Sequence, residues 1–122
     1  MASDAIPESS AAITRFAELI FPEQSNHYGT LIGGRALHLM DLAAFVAASR
    51  HVRQSVVTAK AEQIDFHAPA QAGELAEVSA WVVSQGQRSI RVRVELHAED
   101  LLSGSRRLCC SGYFVCVIKS TA

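Results

Sequence analysis

Two periods run through this chain. From Ile90 to Ala98 apolar and polar residues alternate without an error: Ile90, Val92, Val94, Leu96 and Ala98 face one way, and Ser89, Arg91, Arg93, Glu95 and His97 the other. That is the signature of a half-buried strand. From Gly34 to Ser49 there is no alternation and no proline, only alanine, leucine and other apolar residues broken by Arg35, His38 and Asp41. Alanine and leucine are strong helix formers, and the stretch predicts a rod of roughly 24 Å. Apolar residues occupy nearly every side of it, which predicts a buried helix rather than an amphipathic one. A small domain buries one helix that thoroughly by wrapping a sheet around it.

The other elements fall on either side. Residues Met1 to Ser10 read as a frayed leader, and Ile13 to Phe21 as a strand stopped by Pro22. A polar loop over Glu23 to Ile32 leads into the helix, and Arg50 to Gln54 leads out of it as a polar connection. Val56 to Ala68 is rich in β-formers and ends at Pro69. Ala76, Val78, Ala80 and Val82 alternate with Trp81 on the opposite face, and Gly86-Gln87 suits a tight hairpin. A last strand carries Leu108, Cys110, Phe114, Cys116 and Ile118 inward, with Gly112 where another group approaches closely. One strand, one long helix, then four strands on short connections predict an α+β domain with an antiparallel sheet of about five strands.

Composition narrows the class. A chain of 122 residues holds one core, so residues 1–122 are expected to be a single domain. Eleven basic against twelve acidic residues leave a net charge of −1, without the basic excess of a nucleic-acid binder. The opening residues lack a basic head and an apolar run, so no secretory signal is expected. The helix is too short and too interrupted to span a membrane. Cys109, Cys110 and Cys116 are odd in number and share one apolar segment, which favours free buried thiols and a reducing cytoplasm over disulfides.

Asp41 is the anomaly: a lone carboxylate in an apolar helix is costly unless it is partnered or faces a wet cleft. Read alone, it is either a catalytic group or a structural acid bonded to backbone. Gly33 and Gly34, at the expected helix start, fit either a tight turn with close packing or an anion site built from unpaired N–H groups. Asn26 on its own reads as a loop-capping residue.

The spacing of these residues resembles the acyl-CoA thioesterase branch of the hotdog fold. The first block is Asn26-x-x-Gly29-x-x-x-Gly33-Gly34-x-x-x-x-x-Met40-Asp41. The second is Val57-Thr58-x-x-x-x-x-Ile64-Asp65-Phe66-x-x-Pro69-x-x-x-Gly73, and the third is Gly86-x-x-Ser89-Ile90-x-Val92-x-Val94-Glu95. Ile32 departs from the aromatic residue usual before the glycines. The resemblance implies hydrolysis of a fatty or aryl acyl-CoA, with Asp41 as base or nucleophile and Asn26 orienting water or carbonyl. Gly33 and Gly34 would form the oxyanion site, and Thr58 would sit near the thioester. The coenzyme's phosphates call for cations, for which Arg88 and Ser89 in the hairpin, with Lys60, Arg50 and Arg53, are the candidates. Coenzyme A would enter only as part of substrate and product, with no metal or redox cofactor. The resemblance also implies a homodimer at least, or a tetramer or hexamer. In that dimer one subunit brings Asn26 and the glycines and its partner brings Asp41, because Gly34 and Asp41 of one helix are roughly 10 Å apart. The rival readings are a hotdog dehydratase or hydratase, with His27 beside Asn26 as its histidine, and a non-catalytic acyl-CoA-binding module. The chain has no Gly-x-Ser-x-Gly elbow, Cys-x-x-Cys or His-Glu-x-x-His. Asp65 and His67 share a strand face but are too few for zinc.

Overall fold

The computed structural model describes residues 4–119 and sets one helix against one sheet. In chain order the elements are β1 (Thr14–Leu19), α1 (Gly33–Val52), β2 (Val56–Phe66), β3 (Leu75–Gln85), β4 (Ser89–Glu99) and β5 (Arg106–Ile118). The sheet runs β1-β3-β4-β5-β2 with every pair antiparallel.

The strand with the cleanest alternation lies at the centre. Ile90, Val92, Val94, Leu96 and Ala98 of β4 are fully buried against α1, joined by Ala76, Val78 and Ala80 of β3 and by Cys110, Phe114 and Cys116 of β5. All three cysteines are free and buried. On the outer face Trp81 is also buried: its indole N–H donates to the Asp4 carbonyl at 3.1 Å, and Tyr113 Oη donates to the Asp4 carboxylate at 2.7 Å. Of the expected leader, residues 1–3 lie outside the described residues, while Asp4 is tied to the sheet.

Gly112 of β5 answers to a close approach. A Cβ there would stand 2.3 Å from Ile64 Cδ1 and 3.3 Å from Ile64 Cα. β2 bulges opposite it, between Glu62 and Asp65, and Gln63 takes a left-handed φ of 52°. A second bulge falls between Thr58 and Lys60. Extra residues of this kind turn the side chains that follow to the other face.

Three expectations need correction. The first strand is shorter than Ile13 to Phe21, because one turn of 3-10 helix at Ser10–Ala12 precedes it and another at Pro22–Gln24 follows. The helix is longer than expected at both ends. It takes in Gly33 and most of the supposed connection, stopping when Arg53 turns left-handed at φ 54° with its N–H on the Ser49 carbonyl.

Within the chain α1 is buried on one side only, through Ala36, Leu39, Met40, Ala43, Ala44, Ala47 and Ala48. The sheet covers that side. Leu42 and Phe45 on the other remain 46% and 43% exposed, and Val57 on the edge strand β2 is 44% exposed. A single curved sheet reaches round only part of a helix, and the rest of the apolar surface is left open.

Candidate active site

Asp41 lies in the middle of α1, half-buried, beside β2. Thr58 Oγ1 donates to its Oδ1 at 2.7 Å, while Oδ2 has no hydrogen-bond partner among the described residues. The acid is therefore held and oriented by one hydrogen bond and still open on its other oxygen. Thr58 reaches it from the strand position opposite Cys116, whose fully buried thiol lies beneath the pair. Burial raises the pKa of Cys116 above the usual thiol value, Thr58's hydrogen bond opposes that shift, and the Asp41 charge adds to it.

At the start of the helix Ile32 stands at the N-cap with no side-chain bond, and no acid occupies the first turn. Gly33 and Gly34 are exposed and their N–H groups make no hydrogen bond among the described residues, while those of Arg35 and Ala36 go to the Ile32 carbonyl. Neither glycine has a left-handed φ. A Cβ on Gly34 would meet nothing within 4 Å, and one on Gly33 would meet the Phe66 ring in ordinary contact at 3.6 Å. Nothing inside the chain requires glycine at either position. Two free N–H groups at the positive end of the helix dipole form a ready anion site.

Asn26 is spent partly on its own loop. Its side-chain oxygen accepts from Tyr28 N at 3.0 Å, Thr30 N at 3.1 Å and Thr30 Oγ1 at 3.0 Å, and among the described residues its side-chain amide N–H groups have no partner. No hydrogen bond among the described residues joins Asn26 to Asp41.

Of the eleven lysines and arginines, six are ion-paired: Arg35, Lys60, Arg91, Arg93, Arg106 and Arg107. Lys60 pairs with Glu62 across from Val115, on the outer face and away from Asp41. Arg50 donates to Thr14 Oγ1. Among the described residues the other five, Arg15, Arg50, Arg53, Arg88 and Lys119, have no acidic partner, and Arg53, Arg88 and Lys119 come together at one end of the molecule. Arg88 bonds the Ile118 carbonyl at 2.8 Å, and the Lys119 N–H bonds the Ser55 carbonyl at 2.8 Å. Beside them an open hollow of about 640 Å³ runs from Phe45 and Ser49 of the helix to Arg53 and Lys119. Ser89 sits in the same hairpin as Arg88, its hydroxyl 2.6 Å from where a Gly86 Cβ would be. Lys119 carries a single signal in the sequence, that of a lone cation directly after the last strand.

A cavity of about 340 Å³ opens next to Gly33, between the helix start and the ends of β2 and β5. It too went unread in the sequence, because its wall is assembled from four separate segments. The cysteines near it are poor nucleophiles. Burial raises the pKa of Cys109 and pushes that of Cys110 to about 11, so both are thiols rather than thiolates near neutral pH. Among the described residues no three His, Cys, Asp or Glu side chains are grouped so as to hold a metal ion, and no helix is long and apolar enough to cross a membrane.

Residues 28–105 match the model of the thioesterase superfamily. This chain belongs to that superfamily. It is 31% identical over 98 residues to a Bacillus subtilis protein named as an uncharacterized acyl-CoA thioester hydrolase, covering 80% of this chain and 57% of that protein. An apo-hexameric acyl-CoA thioesterase superposes with a TM-score of 0.87 at 32% identity, over 90% of this chain and 70% of that one. An acyl-CoA hydrolase of Staphylococcus aureus, solved with butyryl coenzyme A and coenzyme A, superposes at 0.86 with 27% identity, over 92% of this chain and 68% of that one. That hydrolase was also solved as alanine variants of an asparagine, an aspartate and a threonine, fifteen and then seventeen residues apart. The thioesterase-superfamily chain described here has the hotdog fold of these neighbours. It spans about half the length of the curated relatives it matches.

Proposed function

We propose that this chain hydrolyses acyl-CoA thioesters at a site built by two copies of it. The observation that carries the reading is the pairing of an oriented, half-open Asp41 with two free glycine amides on a helix whose outer side is apolar and uncovered. Gly34 and Asp41 of one helix are about 10 Å apart along the axis, too far for both to reach one carbonyl. A second copy packed on Leu42, Phe45 and Val57 makes a two-fold interface in which each helix faces its counterpart. The partner's Gly33 and Gly34 then come opposite Asp41. The intervals between Asn26, Asp41 and Thr58 equal those between the residues varied in the Staphylococcus aureus hydrolase, which supports this choice of residues.

Water adds to the thioester carbonyl as Asp41 takes its proton, or Asp41 attacks directly and water resolves the anhydride. The negative oxygen is held by the glycine amides, which are in place before reaction. The carbon–sulfur bond breaks, and the coenzyme leaves as a thiol on receiving the proton. Asn26 turns its free amide N–H groups toward water or carbonyl. The coenzyme runs along α1 toward Arg53, Arg88, Ser89 and Lys119. Arg53 lies about 18 Å beyond Asp41 along the axis, and an extended arm of thirteen bonds from sulfur to phosphorus spans about 15 Å. The free buried thiols favour a reducing cytoplasm.

The test is thiol release from acetyl-, butyryl-, decanoyl-, palmitoyl- and benzoyl-CoA. Absence of release from all of them would retire the reading, and hydration of an enoyl-CoA in its place would favour a hydratase. Thr58→Val should lower kcat on butyryl-CoA by about tenfold, since a hydrogen bond to a charged group contributes about 1.5–3 kcal/mol. An unchanged kcat would show that the acid does not need this orientation. Arg88→Gln with Lys119→Gln should raise KM for butyryl-CoA by about tenfold while butyryl-pantetheine, which has no phosphate, is affected less than twofold. Equal effects on both substrates would place the phosphates elsewhere.

A further inference from the structure

The coenzyme arm accounts for the cations at the far end of α1, and the acyl arm needs a different kind of space. We infer that the acyl group enters the cavity beside Gly33 and that this cavity selects short to medium straight chains, up to about ten carbons. The inference rests on the thioesterase reading, because it takes the carbonyl to lie at the glycine amides.

The cavity's chemistry fits a hydrocarbon. Gly33, Ala36, Phe66, Leu96, Cys109 and Cys110 supply much of its wall, Thr30 and His67 add polar groups to it, and no lysine or arginine lines it. Its floor is closed by Leu96, Cys109 and Cys110, each almost completely buried. The thiols there are protonated at neutral pH because burial disfavours their charge, so the floor is neutral and apolar. At the rim stands Phe66, 60% exposed, its ring 3.6 Å from where a Gly33 Cβ would stand. A chain leaving a carbonyl at the Gly33 amide passes that ring directly.

Size sets the limit. The volume of about 340 Å³ holds about ten carbon-sized groups at roughly 30 Å³ each. Each methylene taken from water into such a space is worth about fourfold in kcat/KM. Gains should therefore continue until the floor is reached and then stop.

Steady-state thiol release across straight acyl-CoAs from acetyl to palmitoyl reads this directly. The expected profile rises by about fourfold per methylene to octanoyl or decanoyl and then falls. Ala36→Leu, which fills the cavity, should move the optimum down by two to four carbons. Phe66→Ala removes an exposed side chain with little risk to folding and should raise activity on longer and aromatic acyl groups relative to butyryl-CoA. Calorimetric binding of straight-chain fatty acids from four to sixteen carbons reads the cavity without turnover. A flat length profile, an optimum unmoved in both variants, or no fatty acid binding would each overturn the inference. Release of thiol with a flat profile removes the pocket and keeps the hydrolase. Length-limited fatty acid binding without thiol release removes the hydrolase and keeps the pocket.

Discussion

Asp41→Ala is expected to lower kcat/KM for butyryl-CoA by about a thousandfold, the usual span for a positioned general base being about 10²–10⁴. The fold should survive it. The carboxylate is half-exposed and its only hydrogen bond among the described residues comes from Thr58, so removing it strands one exposed hydroxyl and opens no core cavity. Unfolding by urea should show a midpoint close to that of the unaltered protein. A structural acid would behave in the opposite way, with stability falling and activity following it. Full activity in the folded variant would end the assignment.

The shared site sharpens this test. A chain carrying Asp41→Ala and a chain carrying Asn26→Ala should each be impaired alone. After mixing and subunit exchange, each heterodimer regains one intact site of two, because the sound Asp41 and the sound Asn26 meet across the two-fold axis. Random exchange makes about half the dimers mixed, so about a quarter of full activity should return. No recovery in verified heterodimers would mean that each chain works by itself.

Leu42→Arg combined with Phe45→Arg should convert the protein to monomers at micromolar concentration and reduce thiol release by about a hundredfold or more. Each leucine or phenylalanine fully buried at an interface contributes about 1.5–3 kcal/mol, and the two-fold axis counts each residue twice. Two guanidinium groups in an apolar contact add a desolvation cost. The residues sit on the uncovered side of α1, so the monomer should keep its helix and sheet content. Sedimentation and circular dichroism separate these outcomes. A folded monomer with undiminished hydrolysis would contradict a site built by two chains. An unaltered dimer would place the interface elsewhere.

Much of the architecture was legible in one dimension. The unbroken alternation of Ile90 to Ala98 can bury one face only as a strand, and it became the centre of the sheet. The alanine- and leucine-rich stretch could be nothing but a helix, though its ends were not readable: Gly33 joined it and Arg53 stopped it through backbone conformation rather than side-chain type. Gly112 announced a close approach, and Ile64 supplied it. At the site, the spacing of Asn26, the glycines, Asp41 and Thr58 was visible. The bond between Thr58 and Asp41 was not, since residues seventeen apart meet only when β2 lies beside α1.

Lys60 shows where such reading stops. Two residues after Thr58, it should share that residue's face in a regular strand, yet the bulge between them turns it to the outer side and into an ion pair with Glu62. A bulge depends on what the neighbouring strand presents, and no pattern within β2 encodes it.

The order of apolar and polar residues determined by itself that this chain forms one helix and an antiparallel sheet, because periodic burial is a local property of the backbone. Tertiary structure alone decided which side of the helix stays open, which cations are left without acids, and where an apolar cavity forms beside Gly33. These depend on how far one curved sheet can reach around a helix and on groups distant in the chain meeting in space.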